Sequence, residues 1–317
     1  MMNPISFSPL RKILLHLQLL SFLQIPFWVS AQGTLSTNHT QSPSYDECIA
    51  FYRALEKTNK IVRVLEAGPS DTDRPIYVVV IDKDGLRSAD RIRQKGRAIL
   101  MINNGIHPGE PEGIEASIML AEHLAKDRQD QRLLDSVSMV IIPVYNVGGA
   151  LFRNSHTRAN QNGPSVYGFR GNRNYLDLNR DFIKCDSRNA ETFTRLYQTW
   201  DPDVFIDTHT SNGADYSYNN TLLPSQKDKL DPGIKSLLYG SMIPYLFREM
   251  EKQGDPLTHY VHPLEKTPEQ GIAGFMDSPR YSSGYAALHH AMPFLIETLM
   301  IKDYGTRLAS TFRLLDI

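Results

Sequence analysis

Cysteine is scarce: Cys48 and Cys185 are the only two in 317 residues. Two thiols make no disulfide framework, and neither stands in a metal-ligand spacing; a single bridge and two free thiols both fit the sequence. Basic runs are missing, as is an acidic tail, and the formal net charge is −1. Nucleic acid therefore has no electrostatic footprint to bind. Past residue 31 no apolar stretch is long enough to span a membrane, which excludes a membrane-spanning helix after the N-terminal segment. Internal repeats and interior domain boundaries are also absent. What remains is a chain of ordinary globular composition, 41% hydrophobic and 22% charged, that reads as one large domain.

The N-terminus is different in kind. Arg11 and Lys12 are its only charged residues, an apolar stretch runs from Ile13 to Trp28, and Val29-Ser30-Ala31 places small residues before Gln32. This pattern predicts a signal peptide over residues 1–31, cleaved after Ala31, and hence export to the periplasm or beyond the cell. His16, Gln18, Gln24 and Pro26 interrupt the run and argue against a membrane anchor. Residues 32–43 are polar and read as a flexible leader before a folded body at 44–317.

Strands and helices alternate through that body. Ser44-x-x-Glu47 predicts a capping box opening a helix from Tyr45 to about Lys57. Ile76–Ile81, Ala98–Ile102, Val137–Val144, Val204–Asp207 and Pro293–Met300 read as strands. Helical spacing covers 112–126, Glu191–Trp200, Ile234–Lys252 with a kink at Pro244, and Asp303–Leu315. Residues 146–180, rich in Asn, Gly and Arg, read as one long loop, and so long a loop in a compact domain is usually functional or disordered. The alternation predicts an α/β domain with a parallel or mixed central sheet flanked by helices.

Four segments carry chemistry. His107-Pro108-Gly109-Glu110 leaves the strand at Ala98–Ile102 through a sharp turn, so an imidazole and a carboxylate can face one point, as metal ligands do. Asp207-Thr208-His209 ends another strand, and sites in open α/β sheets form at such carboxyl ends. A lone loop histidine is more often simply solvated, so His209 gains weight only beside the first pair. Arg170-Gly-Asn-Arg173-Asn-Tyr-Leu-Asp177-Leu-Asn179-Arg180 concentrates arginines and amides around two leucines. Its alternation puts Asp177 and Asn179 on one side, and arginine grips carboxylates with two parallel hydrogen bonds. Glu297 ends the apolar strand Phe294-Leu295-Ile296, where a buried carboxylate is costly without a partner or a task.

These motifs, in this order, resemble the zinc metallocarboxypeptidase family, and the central loop resembles its bacterial members. The resemblance runs from about residue 45 to the C-terminus and implies a single carboxypeptidase-like α/β domain. It implies one zinc ion per chain, held by His107, Glu110 and His209, with Asp177 receiving the other ring N–H of His107. Glu297 would be the general base. Arg170 would stabilise the oxyanion, with Arg173 a competitor for that role. Asn179 and Arg180 would hold the free C-terminal carboxylate of a peptide substrate, and Tyr281 would close over it, with Tyr285 the alternative. Few residues follow Glu297, so a shortened last helix or a further domain absent from this chain is expected. An amidase or deacylase of the same fold is the rival reading; a non-catalytic peptide-binding relative would lack a ligand or the base, and none is lacking here.

Overall fold

The computed structural model describes residues 40–211 and 215–317. The expected export segment, residues 1–31, lies outside them, as do residues 32–39 of the leader. The described end of the leader is tied down: Ser165 N donates to Thr40 O at 2.6 Å, and Ser42 N to Val166 O at 3.2 Å.

Helix α1 (Tyr45–Thr58) opens on a closed capping box, with the Glu47 carboxylate accepting from Ser44 N at 2.8 Å and Ser44 Oγ accepting from Glu47 N at 3.3 Å. The main sheet contains β1 (Val62–Pro69), β2 (Pro75–Ile81), β3 (Ala98–Asn103), β4 (Val137–Ile142), β5 (Val204–Ser211), β6 (Asn220–Pro224), β7 (Leu257–His259) and β10 (Met292–Leu299). β8 (Val261–Pro263) and β9 (Ile272–Gly274) pair separately. The order is β1-β2-β4-β3-β5-β10-β6-β7. The centre, β4-β3-β5-β10, is parallel, while β2 joins β4 and β6 joins β10 antiparallel. Strands covered on both faces read as continuous apolar runs, which is why Ala98–Ile102 and Val137–Ile142 are legible in the sequence.

The connecting helices are α2 (Ala89–Arg93), α3 (Glu112–Lys126), α4 (Val147–Leu151), α5 (Arg188–Trp200), α6 (Pro232–Leu237), α7 (Ile243–Lys252), α8 (Ser282–Leu288) and α9 (Tyr304–Asp316). Alternation along β5 assigns them to faces. Phe205 meets the rings of Phe193 and Tyr197 on α5, and Asp207 accepts from Ser282 Oγ of α8. Thr208 turns the other way, toward α3: a Cβ on Gly113 would lie 1.9 Å from Thr208 Oγ1. Only glycine admits that approach, and it draws α3 hard against the strand that carries His209.

Three expectations need correction. The strand expected over Val204–Asp207 continues to Ser211, so His209 sits inside it rather than beyond its end. The helix expected over Ile234–Lys252 with a kink at Pro244 runs from Pro232 to Lys252, but its irregularity is a wide π turn at Leu238–Met242 between α6 and α7. Pro244 cannot donate a backbone hydrogen bond and its ring crowds the carbonyl four residues earlier, so the disruption falls before it. The loop at 146–180 contains the short helix α4 and a 3-10 turn at Leu178–Arg180. β1 and β6 to β9 were not legible; β7, β8 and β9 are three residues each, too short for a period of two to register.

Candidate metal centre and active site

Strand register builds the site. Asn103 pairs with Asp207, Leu295 with Asp207, and Glu297 with His209. The sheet thus sets Glu297 beside His209, and the turn after β3 carries His107 and Glu110 over the same strand ends. Glu110 N donates to His107 O at 2.9 Å, closing that turn.

The three expected ligands converge. Nδ1 of His107 lies 3.1 Å from Glu110 Oε1, and Nδ1 of His209 lies 3.1 Å from Glu110 Oε2. One ligand atom from each of the three lies within 4.8 Å of the others. Both outer nitrogens are engaged by carboxylates: His107 Nε2 with Asp177 Oδ1 at 3.0 Å, and His209 Nε2 with Asp207 Oδ2 at 2.9 Å. Such partners fix the tautomer and leave each Nδ1 lone pair pointing inward. Two imidazoles and one carboxylate, so oriented, suit a divalent zinc with an open position. His107, Glu110 and His209 are all buried. Burial opposes the negative charge on Glu110, but Arg158 and the imidazoles outweigh it and hold this carboxyl well below its ordinary range. Burial likewise opposes a proton on His209, and the Asp207 and Glu110 carboxylates reverse that, raising its pKa.

Two members of this cluster were not foreseen. Asp207 is fully buried and receives a hydrogen bond from Asn103 Nδ2 at 2.9 Å as well as its contact to His209. Its position two residues before His209 on a strand was the available signal, since such residues share a face. Arg158 donates to Glu110 Oε1 at 2.5 Å and to Thr210 O at 2.9 Å. It comes from the long loop, and no local pattern in the sequence marks it.

Around this centre lies a recess lined by His107, Glu110, His209, Arg170, Asn179, Arg180, Tyr281 and Glu297, with Leu223, Leu295, Tyr260 and Phe275 at its apolar side. Arg170 pairs with Asp177 at 2.9 Å and brings Nη1 within 3.4 Å of both His107 Nδ1 and Glu110 Oε1. Arg173 is exposed and does not line the recess; its backbone N–H donates to Asp71. Asn179 is buried, and its Oδ1 accepts from Ser282 N at 3.4 Å. Arg180 donates to Asn179 O at 2.8 Å and lies 4.6 Å from the centroid of the Tyr281 ring. Tyr285 is instead packed into the aromatic core with Phe182, Phe193 and Tyr197. Burial, together with the Glu110 carboxylate, pushes the Glu297 carboxyl up to about 7 against the opposing pull of His209. Its oxygens have no hydrogen-bond partner among the described residues. Cys48 and Cys185 are both free thiols.

A family model described as zinc carboxypeptidase matches residues 48–293. The match contains every site residue above except Leu295 and Glu297, whose places follow from the β5–β10 register. Carboxypeptidase 2 of Trichophyton rubrum is 23% identical over 186 residues, covering 57% of this chain and 31% of that protein. The chain thus spans about a third of the length of that curated relative. Among solved structures, a metallo-carboxypeptidase from Burkholderia cenocepacia superposes with a TM-score of 0.64 at 16% identity, over 87% of this chain and 68% of that one. Carboxypeptidase A from Helicoverpa armigera gives 0.64 at 17% identity, over 96% and 78%. At such identities the likeness shows the fold.

Proposed function

The chain belongs to the zinc carboxypeptidase family, and on that premise we propose that it is an exported metallocarboxypeptidase that hydrolyses the last peptide bond of peptides with a free C-terminus. The observation that carries this reading is Arg180. It is a half-buried cation that lines the recess; it donates to Asn179 O and stacks on Tyr281, Asp177 feels its charge, and among the described residues no carboxylate oxygen lies within ion-pair distance of it. A cation left unpaired beside a metal-ligand cluster is a receptor for an anion, and a planar guanidinium suits a carboxylate. The N-terminal charge and apolar pattern supports the exported part of the reading.

His107, Glu110 and His209 would hold one zinc, with Asp177 and Asp207 fixing the two imidazoles. Bound there, zinc supplies a Lewis acid for the scissile carbonyl and for water. Glu297 has an unengaged carboxylate at the same strand end, so it serves as the base that takes a proton from the attacking water and returns it to the leaving amine. Arg170 presents Nη1 to the centre and stabilises the charge that develops on the carbonyl oxygen. Asn179 and Arg180 bind the terminal carboxylate, and Tyr281, stacked beneath Arg180, borders that end. Together they fix the scissile carbonyl against the base.

Paired peptide substrates test the reading, one with a free C-terminus and one with its C-terminal amide, assayed with and without a chelator. The acid should be cut at least about tenfold faster, about 1.4 kcal/mol of discrimination. Arg180→Ala should erase most of that ratio, and Arg180→Lys should restore part of it. Equal rates on acid and amide in the unaltered protein would move the assignment to the amidase reading.

A further inference from the structure

An aromatic surface surrounds Phe169, the residue before Arg170, and is unused by the chemistry above. Phe152 and Tyr175 are 57% and 81% exposed, and both rings stand edge-on to Phe169, at centroid distances of 5.6 and 6.0 Å. Leu151 and Leu176, their neighbours in the chain, are each 42% exposed. Contiguous exposed apolar surface on a folded domain marks a contact surface more often than chance.

The backbone adds a second observation. Tyr175 has φ of +60°, the left-handed region. A bulky side chain is strained there, in a conformation that glycine or asparagine adopts with little penalty. The loop enforces it: Asn172 Oδ1 accepts from Asn174 N at 2.9 Å and Leu176 N at 3.0 Å, and Tyr175 N donates to Asn172 O at 2.9 Å. The ring so displayed is mostly in water, so folding gains little from it. Strain held without a packing gain points to use at the surface.

The third observation is position. Phe169 immediately precedes Arg170, whose guanidinium reaches His107 and Glu110. Its own N–H donates to Gly149 O, on α4, which follows β4. The apolar side of the recess is built instead from β10 and β6, where Leu295 pairs with Leu223, and from Phe275, which meets the Tyr281 ring at 4.9 Å. In the sheet order, β4 and β6 lie on opposite sides of the metal-ligand strand β5. A peptide whose last residue sits beside Arg180 and Tyr281 therefore leaves the centre toward Arg170 and Phe169.

We propose that Phe152, Phe169 and Tyr175 form a shelf for substrate side chains two or three residues upstream of the scissile bond, selecting peptides that carry an aromatic or large aliphatic residue there. The shelf rests on the carboxypeptidase reading, and the substrates are chosen to separate the two. A blocked dipeptide acid is too short to reach the shelf and serves as the reference. N-blocked tri- and tetrapeptide acids carry Phe, Leu, Gly or Glu at the upstream positions. The expected result is a kcat/KM for Phe over Gly of about fivefold to tenfold, the worth of one or two edge-to-face ring contacts. Tyr175→Gly and Phe152→Ala should each bring that ratio toward one. Tyr175→Gly should do so without lowering the melting temperature, since glycine relieves the left-handed strain; Phe152→Ala tests the shelf without touching that loop. A Phe/Gly ratio near one in the unaltered protein overturns the shelf while dipeptide cleavage upholds the carboxypeptidase reading. A ratio that survives both substitutions overturns it as well. Failure to cut any acid peptide, the blocked dipeptide included, overturns both.

Discussion

Replacing Asp207 by Asn should weaken zinc binding, by an amount that its surroundings set. Asp207 Oδ1 accepts from Asn103 Nδ2 at 2.9 Å, and Oδ2 faces His209 Nε2 at 2.9 Å and Ser282 Oγ. An asparagine is nearly isosteric, but Asn103 would hold its carbonyl oxygen and turn its NH2 toward His209. Nε2 would then have to accept, placing the imidazole proton on Nδ1, the nitrogen that faces Glu110. The ligand lone pair is lost, and the residue has no solvent through which to reorient because it is fully buried. Losing the partner of a metal-bound histidine typically costs about 10–100-fold in affinity, or about 1.4–2.7 kcal/mol. Asp207→Asn should lie at the high end. Asp177→Asn, acting on His107 from a partly exposed position, should lie at the low end because water can stand in. One effect opposes this: Asp207 also favours a proton on His209 that zinc must displace. The comparison therefore belongs at alkaline pH, where that competition is least, using competition with a chelating dye and far-UV circular dichroism to verify folding. An Asp207→Asn protein with unaltered zinc affinity would refute the tautomer argument and the assignment of His209 Nδ1 as a ligand atom.

Glu297→Gln should retain zinc while kcat falls by roughly 10²–10⁴-fold; near-normal turnover would place the base elsewhere. Gly113→Ala should destabilise the fold by roughly 1–3 kcal/mol, because the added methyl overlaps Thr208 on a rigid strand; chemical denaturation with an unchanged midpoint would contradict that packing. Asp82 is fully buried and accepts from Leu86 N, Asp84 N, Ser138 Oγ and Arg97 Nη1. Burial would raise its pKa, but those four donors outweigh it and hold the carboxyl below the usual aspartate range. Its stabilisation is thus complete above the unfolded value of about 3.9 and disappears as pH falls through the lower folded value. Asp82→Asn should cost about 3 kcal/mol at neutral pH, as for a broken buried ion pair, and should lose less relative to the unaltered protein in strong acid. Urea unfolding at both pH values checks this, and a difference independent of pH would contradict it.

The residue types at the centre are legible in the chain before it is folded. His107 and Glu110 are separated by one turn, Asp177, Asn179 and Arg180 fall within four consecutive positions, and Glu297 closes an apolar run; these relations are local and need no fold to be seen. The same holds for the α/β class, because strands buried on both faces and amphipathic helices each leave a periodic trace. Whatever depends on register and on long-range approach needs the folded chain. Glu297 faces His209 because two parallel strands, joined through intervening elements, pair in one register out of many. Arg158 meets Glu110 across 48 residues of chain. Tyr281 rather than Tyr285 borders the recess because helix α8 begins between them and turns Tyr285 into the aromatic core. A contact between residues distant in sequence is fixed by the packing of whole elements, and that information is spread over the chain rather than written at either end of the contact.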